Sequence, residues 1–313
     1  MVNPTSQNMM KRLFSYAGIL LCMAVLVVSC SKDDGDGGIN WGGGGSGGGS
    51  STYVAGSYTS RLEVPALKAG NIFVQHSSLE GRDSVMTYCL EYDPMKYHSR
   101  WVAFRFDSFT RVKNVNRKDY SIRPQYVRDP KLPSYCAVPS DLSFAGYDHG
   151  HICASYDRLY SRTANDNTFY MTNMTPQINS FNGTYWAEYE NYVQTKGRDA
   201  SFADTLYVCK GGTIENGQIL NMLSLGGGIQ MPQPKYYFIA LLRVRSNTYS
   251  AIGFWIEHKN YGNNVKPSKA NMHAAAMCID DLEERTGIDF FHNLPDVVEA
   301  NVERLCPYTD WGL

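Results

Sequence analysis

The chain has 313 residues, with 29 Lys and Arg against 30 Asp and Glu, so its formal net charge at pH 7 is −1. This balance argues against a passive coat for nucleic acid, which needs a large excess of positive charge. Hydrophobic residues make up 43% of the chain, an ordinary share for a folded protein.

The N-terminal segment has the pattern of a lipoprotein leader. Lys11 and Arg12 precede an apolar run over residues 13–28, which is typical of a signal peptide and short for a membrane span. The run ends in Val-Val-Ser-Cys, which looks like a bacterial lipoprotein cleavage box. The sequence therefore predicts a signal peptide over residues 1–29 and lipidation of Cys30. We expect an exported protein that is lipid-anchored to a bacterial membrane, in the outer membrane and facing the periplasm or the cell surface.

Residues 30–52 carry this anchor site and a Gly/Ser-rich tether. Apart from Ile39 and Trp41, the tether has no apolar side chain to bury, so its composition predicts a linker with no fold of its own. The remaining residues, 53–313, are long enough for one domain with a sizeable core.

Predicted strands outnumber predicted helices in this domain. Alternation, or enrichment in β-branched and aromatic residues, predicts strands at 71–76, 84–92, 100–106, 168–172, 205–209, 236–242 and 251–256. Periodicity and end signals predict helices at 184–195, 269–286 and 296–305. Together they predict an α+β fold with an antiparallel central sheet and flanking helices. Residues 53–95 are expected to add a hairpin or a sheet edge.

Positive charge is concentrated in residues 96–131, which hold ten Lys or Arg and only three Asp. Such residues neutralise phosphates without reading a base sequence, and Tyr120 and Tyr126 could stack on exposed bases. The alternative is the solvated face of edge strands, where Lys and Arg are common.

A cluster of polar residues follows. An Asp-His-Gly-His sequence ends at His151, and Asn173 is the first residue of an Asn-x-x-Pro-Gln turn. Asn182 and Glu190 flank Trp186 at intervals of four residues. On a helix this spacing places Asn182 and Glu190 toward the same side, with Trp186 packed below them. The order predicts a finger made of a strand up to His151, a strand up to Asn173 and a helix from Asn182.

These residue types suit the hydrolysis of a phosphodiester. The attacking water must lose a proton near neutral pH, which an imidazole can accept. Mg²⁺ keeps most of its waters and takes one or two protein oxygens, so a single amide carbonyl and one carboxylate suffice. Mn²⁺ is an acceptable substitute. The sequence has no Cys-x-x-Cys pair, which argues against zinc.

The sequence resembles the sugar-nonspecific DNA/RNA endonucleases, a family with a ββα-metal (His-Me) finger that includes secreted bacterial nucleases and mitochondrial endonuclease G. Besides the finger, the similar segments are an arginine-bearing loop, two strands, and a C-terminal helix with its turn, at residues 123–133, 205–212, 234–237 and 279–295. The resemblance covers about residues 100–301.

The resemblance implies a role for each matching residue. His151 would be the general base and Asn182 the direct metal ligand. Glu190 would hold metal-bound waters, and Asn173 would fix either the loop of His151 or the scissile phosphate. The products would carry 5′-phosphate and 3′-hydroxyl ends.

The phosphate contact is the least certain part of the pattern. The resemblance points to Arg123 as the arginine that clamps phosphate, with Arg117 as the alternative. The family also has an arginine where this chain has His149. Because histidine is shorter and mostly neutral at pH 7, this contact would be weaker or pH-dependent.

Six cysteines follow the lipidation site Cys30, which permits up to three disulfides in fifteen combinations. The resemblance favours Cys278–Cys306. Cys153 lies two residues after His151, but it lacks the positioned base that a nucleophilic cysteine needs.

The predicted function is a metal-dependent, sequence-nonspecific endonuclease that acts on DNA and RNA. One alternative, favoured by His149, is a surface lipoprotein that binds nucleic acid with weak or absent cleavage. Another is an anchored scaffold or adhesin, suggested by the tether and the many tyrosines. The preference for DNA or RNA and the oligomeric state stay open.

Overall fold

The computed structural model describes residues 61–313; the predicted leader, Cys30 and the whole tether lie outside them. The described strands are β1 (Ile72–Glu80), β2 (Asp83–Asp93), β3 (His98–Phe106), β4 (Asp148–His151), β5 (Met174–Gln177), β6 (Thr205–Gly212), β7 (Ile219–Ser224), β8 (Gln230–Pro234), β9 (Tyr236–Arg245), β10 (Thr248–Glu257) and β11 (Ala276–Met277). Seven of them form one antiparallel sheet in the order β1-β2-β3-β6-β9-β10-β11, while β4-β5 and β7-β8 form two smaller sheets.

The described α-helices are α1 (Arg162–Asn167), α2 (Ala187–Arg198), α3 (Lys269–Ala275), α4 (Ile279–Thr286) and α5 (Asp296–Arg304). A π-helical turn, Phe181–Trp186, leads directly into α2. The α+β fold with an antiparallel central sheet and flanking helices is therefore confirmed.

Strand β3 is buried on both faces of the large sheet. Val102, Phe104 and Phe106 contribute to one hydrophobic cluster, while Trp101 and Ala103 contribute to another. Because successive side chains of a strand point to opposite faces, the two clusters lie on opposite sides of the sheet. The sheet is thus the middle layer of the domain.

Helix α2 packs on the first of these faces. It buries Tyr189 and Val193, and Trp186 just before it is fully buried, as predicted. At Gly197 a Cβ atom would overlap the ring of Phe106, so only glycine permits this close approach of helix and strand. This packing fixes the position of Glu190 on the same helix.

The C-terminal helices pack on the opposite face. Ile279, Leu282 and Val302 belong to the second cluster. A disulfide between Cys278 and Cys306 joins the start of α4 to the segment after α5, with Cα atoms 4.7 Å apart. The expected pairing is confirmed.

The finger consists of the β4-β5 hairpin, the π-helical turn and α2. His151 pairs with Met174, and Gly150 pairs with Thr175. A Cβ atom at Gly150 would overlap the side chain of Gln177, which explains the glycine between the two histidines. The predicted order of strand, strand and helix is confirmed, although Asn173 precedes the second strand instead of ending it.

Six of the seven predicted strands are confirmed with shifted ends, and the strand predicted at residues 168–172 is wrong. There the chain makes turns, in which Thr168 N donates to Asn165 O and Asn173 N donates to Tyr170 O. Most side chains of the run are buried, which explains its apolar character. Its one link to an extended partner is a single bridge, in which Val127 N donates to Phe169 O and Met171 N donates to Val127 O.

The helix predicted at residues 269–286 is also wrong as a single element. It is divided into α3 and α4 by β11, whose two residues pair with Gly253 and Phe254 of β10. Helical propensity favours continuity through this alanine-rich stretch, but the edge of the sheet offers backbone partners that the sequence does not reveal. The helix predicted at residues 296–305 is confirmed to within one residue.

Besides β11, the elements α1, β7 and β8 were not predicted. The hairpin expected within residues 53–95 is confirmed for its described part, because β1 and β2 form one and β1 is the edge of the large sheet. Within residues 61–313, each helix falls short of the length and apolarity needed to cross a membrane.

Candidate active site

An open cavity of about 470 Å³ lies beside the finger. His149 and His151 of β4, Asn182 of the π-helical turn and Glu190 of α2 all line it, together with Arg117 from the long loop before β4. The structure thus brings four of the six predicted catalytic and metal-binding residues to one place. Asn173 and Arg123 are not among the lining residues.

His151 stands at the end of β4 with its ring edge-on to Phe169, at a centroid distance of 5.0 Å. Its Nε2 atom is buried and has no hydrogen-bond partner within the described part of the chain. Burial lowers the pKa of His151 to about 3, and the positive charge of Arg117 acts in the same direction. The imidazole is therefore neutral at pH 7, which is the form that accepts a proton.

Asn173 is fully buried beneath this loop. Its Oδ1 accepts from Cys153 N at 2.8 Å, and its Nδ2 donates to Cys153 O at 2.8 Å and to Thr168 O at 2.7 Å. All three partners are backbone atoms. Of the two roles implied for Asn173, this geometry matches the fixing of the His151 loop.

Asn182 has a defined orientation. Its Nδ2 donates to Asp148 Oδ2 at 2.9 Å, and Asn179 Nδ2 donates to the same oxygen at 3.1 Å. Since an ionised carboxylate only accepts hydrogen bonds, the nitrogen end of Asn182 must face Asp148. The carbonyl oxygen of Asn182 is then the end of the amide that is available to a cation. Sequence analysis missed this role of Asp148, although it is the first residue of the Asp-His-Gly-His motif.

Glu190 is close enough to a buried ion pair to feel the charges of both partners. Lys210 Nζ of β6 donates to Asp157 Oδ2 at 2.9 Å, and both side chains are fully buried. Burial raises the pKa of Glu190 to about 8, although the charge of Lys210 lowers it in part. A cation beside this carboxylate would favour its ionised form. Sequence analysis missed Lys210, because a lysine in a strand usually indicates an exposed position.

The ring of His149 is held on both sides. It stacks on Tyr126 at 4.2 Å and lies 4.4 Å from the ring centroid of Phe144, and Nε2 donates to Leu142 O at 2.8 Å. Burial lowers the pKa of His149. At neutral pH this residue thus brings no positive charge to the cavity, unlike the arginine of the family pattern.

Arg117, the alternative arginine, is the one that reaches the cavity. Its guanidinium carbon lies 3.7 Å from the ring centroid of Tyr120 and 4.8 Å from that of Phe169. Arg123 is exposed, and its guanidinium donates to the backbone oxygens of Tyr120 and Ile122. The loop before β4 therefore places Arg117, and not Arg123, beside His151.

The basic run at residues 96–131 does not form a single charged face. Lys96 pairs with Glu215, Arg111 donates to the backbone oxygens of Ala203 and Asp204, and Lys118 is buried. Of its ten basic residues, only Arg117 lines the cavity. Aromatic residues contribute more to the lining, namely Tyr120, Tyr126, Tyr147 and Tyr156.

Cys153 is buried, and this burial raises the pKa of its thiol well above the usual range. Because the thiolate is the nucleophilic form, the environment is unsuitable for a nucleophile. Cys89, Cys136 and Cys209 are likewise buried and free, so one of the three permitted disulfides is present.

Comparison with known proteins agrees with this geometry. Residues 68–297 match the family model described as DNA/RNA non-specific endonuclease. A nuclease from Nostoc sp. is 29% identical over 220 residues, which cover 69% of this chain and 75% of that protein. Human mitochondrial endonuclease G is 25% identical over 226 residues, which cover 70% and 71%. The crystal structure of the EndoG/EndoGI complex aligns with a TM-score of 0.55 and 18% identity, over 71% of this chain and 88% of that chain, which shows a shared fold.

The fold and the match define a nuclease with a ββα finger, a hydrolase of a class that depends on a divalent metal. The chain belongs to the DNA/RNA non-specific endonuclease family. The match begins at residue 68, so the expectation that the resemblance starts near residue 100 is wrong, and β1 and β2 are part of the family domain.

Proposed function

We propose that this protein is a Mg²⁺-dependent, sequence-nonspecific endonuclease that hydrolyses DNA and RNA to 5′-phosphate ends, with His151 as the general base. The observation that carries the proposal is the convergence of a neutral imidazole, an oriented amide and a carboxylate on one cavity. General-base catalysis of this kind contributes roughly 10²- to 10⁴-fold to the rate.

The residues present fit a hard divalent cation. Asp148 holds Asn182 so that an amide oxygen is free to coordinate, and Glu190 adds carboxylate oxygens in the same cavity. Oxygen donors of this kind suit Mg²⁺, and Mn²⁺ as a substitute. When bound, the cation supplies positive charge that stabilises the charge developing on the phosphate and on the leaving oxygen.

The chain's own residues supply the remaining functions. His151 Nε2 is available to accept the proton of the attacking water. The Arg117 guanidinium, held against two aromatic rings, offers hydrogen-bond donors to a phosphate oxygen. Asn173 keeps the segment after His151 in place through Cys153. A contact to phosphate carries no information on base sequence, which supports cleavage that does not depend on it.

A plasmid-nicking assay with and without EDTA tests the proposal. We expect cleavage that requires Mg²⁺ and falls by at least about 10²-fold in His151→Ala. The matched control is His273→Ala, which alters an exposed histidine outside the cavity and should cleave normally. Cleavage that persists in His151→Ala, or in EDTA, would contradict the assigned role. Retarded but uncut DNA would favour the alternative, a nucleic-acid-binding lipoprotein.

Arg117 and Arg123 provide a matched pair for the phosphate contact. Arg117→Ala should raise KM and lower kcat/KM by about 10-fold or more, the typical cost of one charge-assisted hydrogen bond. Arg123→Ala should stay close to wild type. The opposite ranking would restore Arg123 as the clamp.

We further propose that the enzyme is exported and that Cys30 anchors it to a bacterial membrane after the removal of residues 1–29. The support is the leader sequence alone. Mass spectrometry of the membrane-extracted protein should find a lipid-modified N-terminal Cys30, and Cys30→Ser should release the protein into the soluble fraction. An unmodified N-terminus in the membrane fraction would argue against the anchor.

A further inference from the structure

Three carboxylates meet on the face of the sheet opposite α2. Asp280 and Glu283 of α4 and Glu303 of α5 each present a carboxylate oxygen, and these atoms all lie within 4.8 Å of one another. Glu303 is 5% exposed and comes from the last turn of its helix, whereas Asp280 is exposed at the first turn of α4. The cluster is therefore buried at one end and open to solvent at the other.

Glu303 has no positively charged partner among residues 61–313. Its Oε1 atom is buried and accepts no hydrogen bond within residues 61–313. Of the ion pairs in the described part of the chain, none includes Asp280, Glu283 or Glu303. The nearest arginines in sequence are engaged elsewhere, since Arg304 bonds to Asn301 and Arg285 lies over the ring of Trp255.

The electrostatic environment is unfavourable to bare carboxylates. Burial, together with the negative charges of the neighbouring Glu283, Glu299, Asp280 and Asp289, raises the pKa of Glu303 to about 9. Burial likewise raises the pKa of Glu283 to about 7, although the Phe290 backbone amide that donates to its Oε1 lowers it in part. Buried charge of one sign must be neutralised, either by protons or by a cation.

We propose that Asp280, Glu283 and Glu303 form a binding site for a divalent cation, with Ca²⁺ as the ion that fits, and that the bound ion clamps α4 to α5. All donors are carboxylate oxygens, which suits Ca²⁺ and disfavours zinc, an ion that prefers nitrogen and sulfur. Ca²⁺ tolerates irregular coordination of six to eight oxygens, so three carboxylates from two helices can be completed by water at the exposed end.

This site is distinct from the proposed active site. It shares no residue with the cavity beside the finger, and the two lie on opposite faces of the central sheet. It stands instead near the Cys278–Cys306 disulfide, which connects the same two helices. The ion would thus act on stability, and its binding can be measured without any assay of cleavage.

Calorimetric titration and thermal unfolding of the EDTA-treated protein test the site, with CaCl₂ as the probe. All variants are made in the Asn182→Ala protein, so that a cation bound at the proposed active site does not contribute to the heat signal or to Tm. We expect one Ca²⁺ per chain with Kd of about 10⁻⁴ to 10⁻³ M, the usual range for extracellular modules. At ten times Kd, Tm should rise by about 3–6 °C.

Glu303→Gln keeps the side-chain volume and removes the buried charge, so it should abolish both the calorimetric signal and the Tm shift. Glu284→Gln, at an exposed position of α4, is the matched control and should respond like the parent. Asp280→Asn is a second test in case the Glu303 variant does not fold, because position 280 is exposed. It should weaken Ca²⁺ binding at least 10-fold.

Two results would overturn the proposal. One is an equal response of the parent and Glu303→Gln to Ca²⁺. The other is a parent that does not respond to Ca²⁺ at 10 mM while Glu303→Gln is more stable without metal, which would mean that the three carboxylates share protons instead of a cation.

Discussion

Asn173 Oδ1 and Nδ2 bond to the backbone nitrogen and oxygen of Cys153, both at 2.8 Å, and so fix the chain two residues after His151. The side-chain amide of Asn173 therefore satisfies both backbone polar groups of the buried Cys153, and it also donates to Thr168 O. The position of the imidazole depends on a side chain that does not line the cavity.

Asn173→Ala should leave these buried backbone groups without partners and lower the free energy of unfolding by about 2–4 kcal/mol. It should also lower kcat, because the His151 loop loses its support. Urea unfolding and nicking rates measure the two effects. Asn167→Ala is the control, since Asn167 is equally polar and buried but bonds to Ser77 O and Thr87 Oγ1. If both variants lose stability alike and keep wild-type kcat, Asn173 has no positioning role.

His149→Arg should raise turnover. The guanidinium can stack on Tyr126 as the imidazole does, and it carries a permanent charge and two donors toward a phosphate. Rates of the two proteins at pH 7 and pH 8 provide the measurement, with His149→Gln as an uncharged control. A variant that is no faster at either pH would show that position 149 does not contact phosphate in this enzyme.

Asp157→Asn should destabilise the domain by about 3–5 kcal/mol, because it leaves the buried Lys210 ammonium without its partner. The double variant Asp157→Asn/Lys210→Met should recover most of this loss, since no uncompensated charge remains. Urea denaturation of the four proteins of this cycle gives the coupling energy. Additive losses, with no recovery in the double variant, would mean that the ion pair is not coupled in the folded state.

Stability should fall on mild acidification because two structural histidines are buried in the neutral form. Burial lowers the pKa of His98 and that of His258 to about 4, although the backbone oxygens of Ser99 and Pro234 raise them in part. The folded state thus binds fewer protons than the unfolded state, whose histidines titrate near 6.5. The stability contributed by the neutral rings is complete above pH 6.5 and is lost as the pH falls toward 4, by up to about 3 kcal/mol for each ring.

Urea unfolding between pH 7.5 and 4.5 checks this expectation. His258→Asn should show a shallower decline than wild type, whereas His273→Ala, which changes an exposed ring, should follow wild type. Parallel declines of all three proteins would assign the acid sensitivity to carboxylates.

The finger could be predicted from sequence because its spacing is local. Asp148 to His151 occupy one short strand, and Asn182 and Glu190 lie on one continuous helical segment. Within a strand or a helix, the spacing of two residues in the sequence determines whether their side chains point to the same side. Gly150 pairs with Thr175, and a Cβ atom at position 150 would overlap the side chain of Gln177. The glycine in the motif is therefore explained by the close pairing of the two strands.

The arginine and the buried lysine could not be predicted in this way. Between β3 and β4 the chain runs through a long irregular loop, and its hydrogen bonds to distant segments decide that Arg117 reaches the cavity while Arg123 stays exposed. The charge of the buried Lys210 is compensated by Asp157, which lies 53 residues earlier in the chain. Pairings between distant segments leave no local pattern in a single sequence.

The cysteines impose an order of events on the maturation of this chain. The thiols of Cys89, Cys136, Cys153 and Cys209 are buried in the folded domain, while Cys278 and Cys306 are partly exposed and adjacent. The six cysteines of residues 61–313 can be joined completely in fifteen ways while the chain is unfolded. Once these residues are folded, Cys278 and Cys306 are the one exposed pair among them. We therefore expect the native link to form selectively when folding precedes oxidation, because the other four thiols of this part of the chain are then buried.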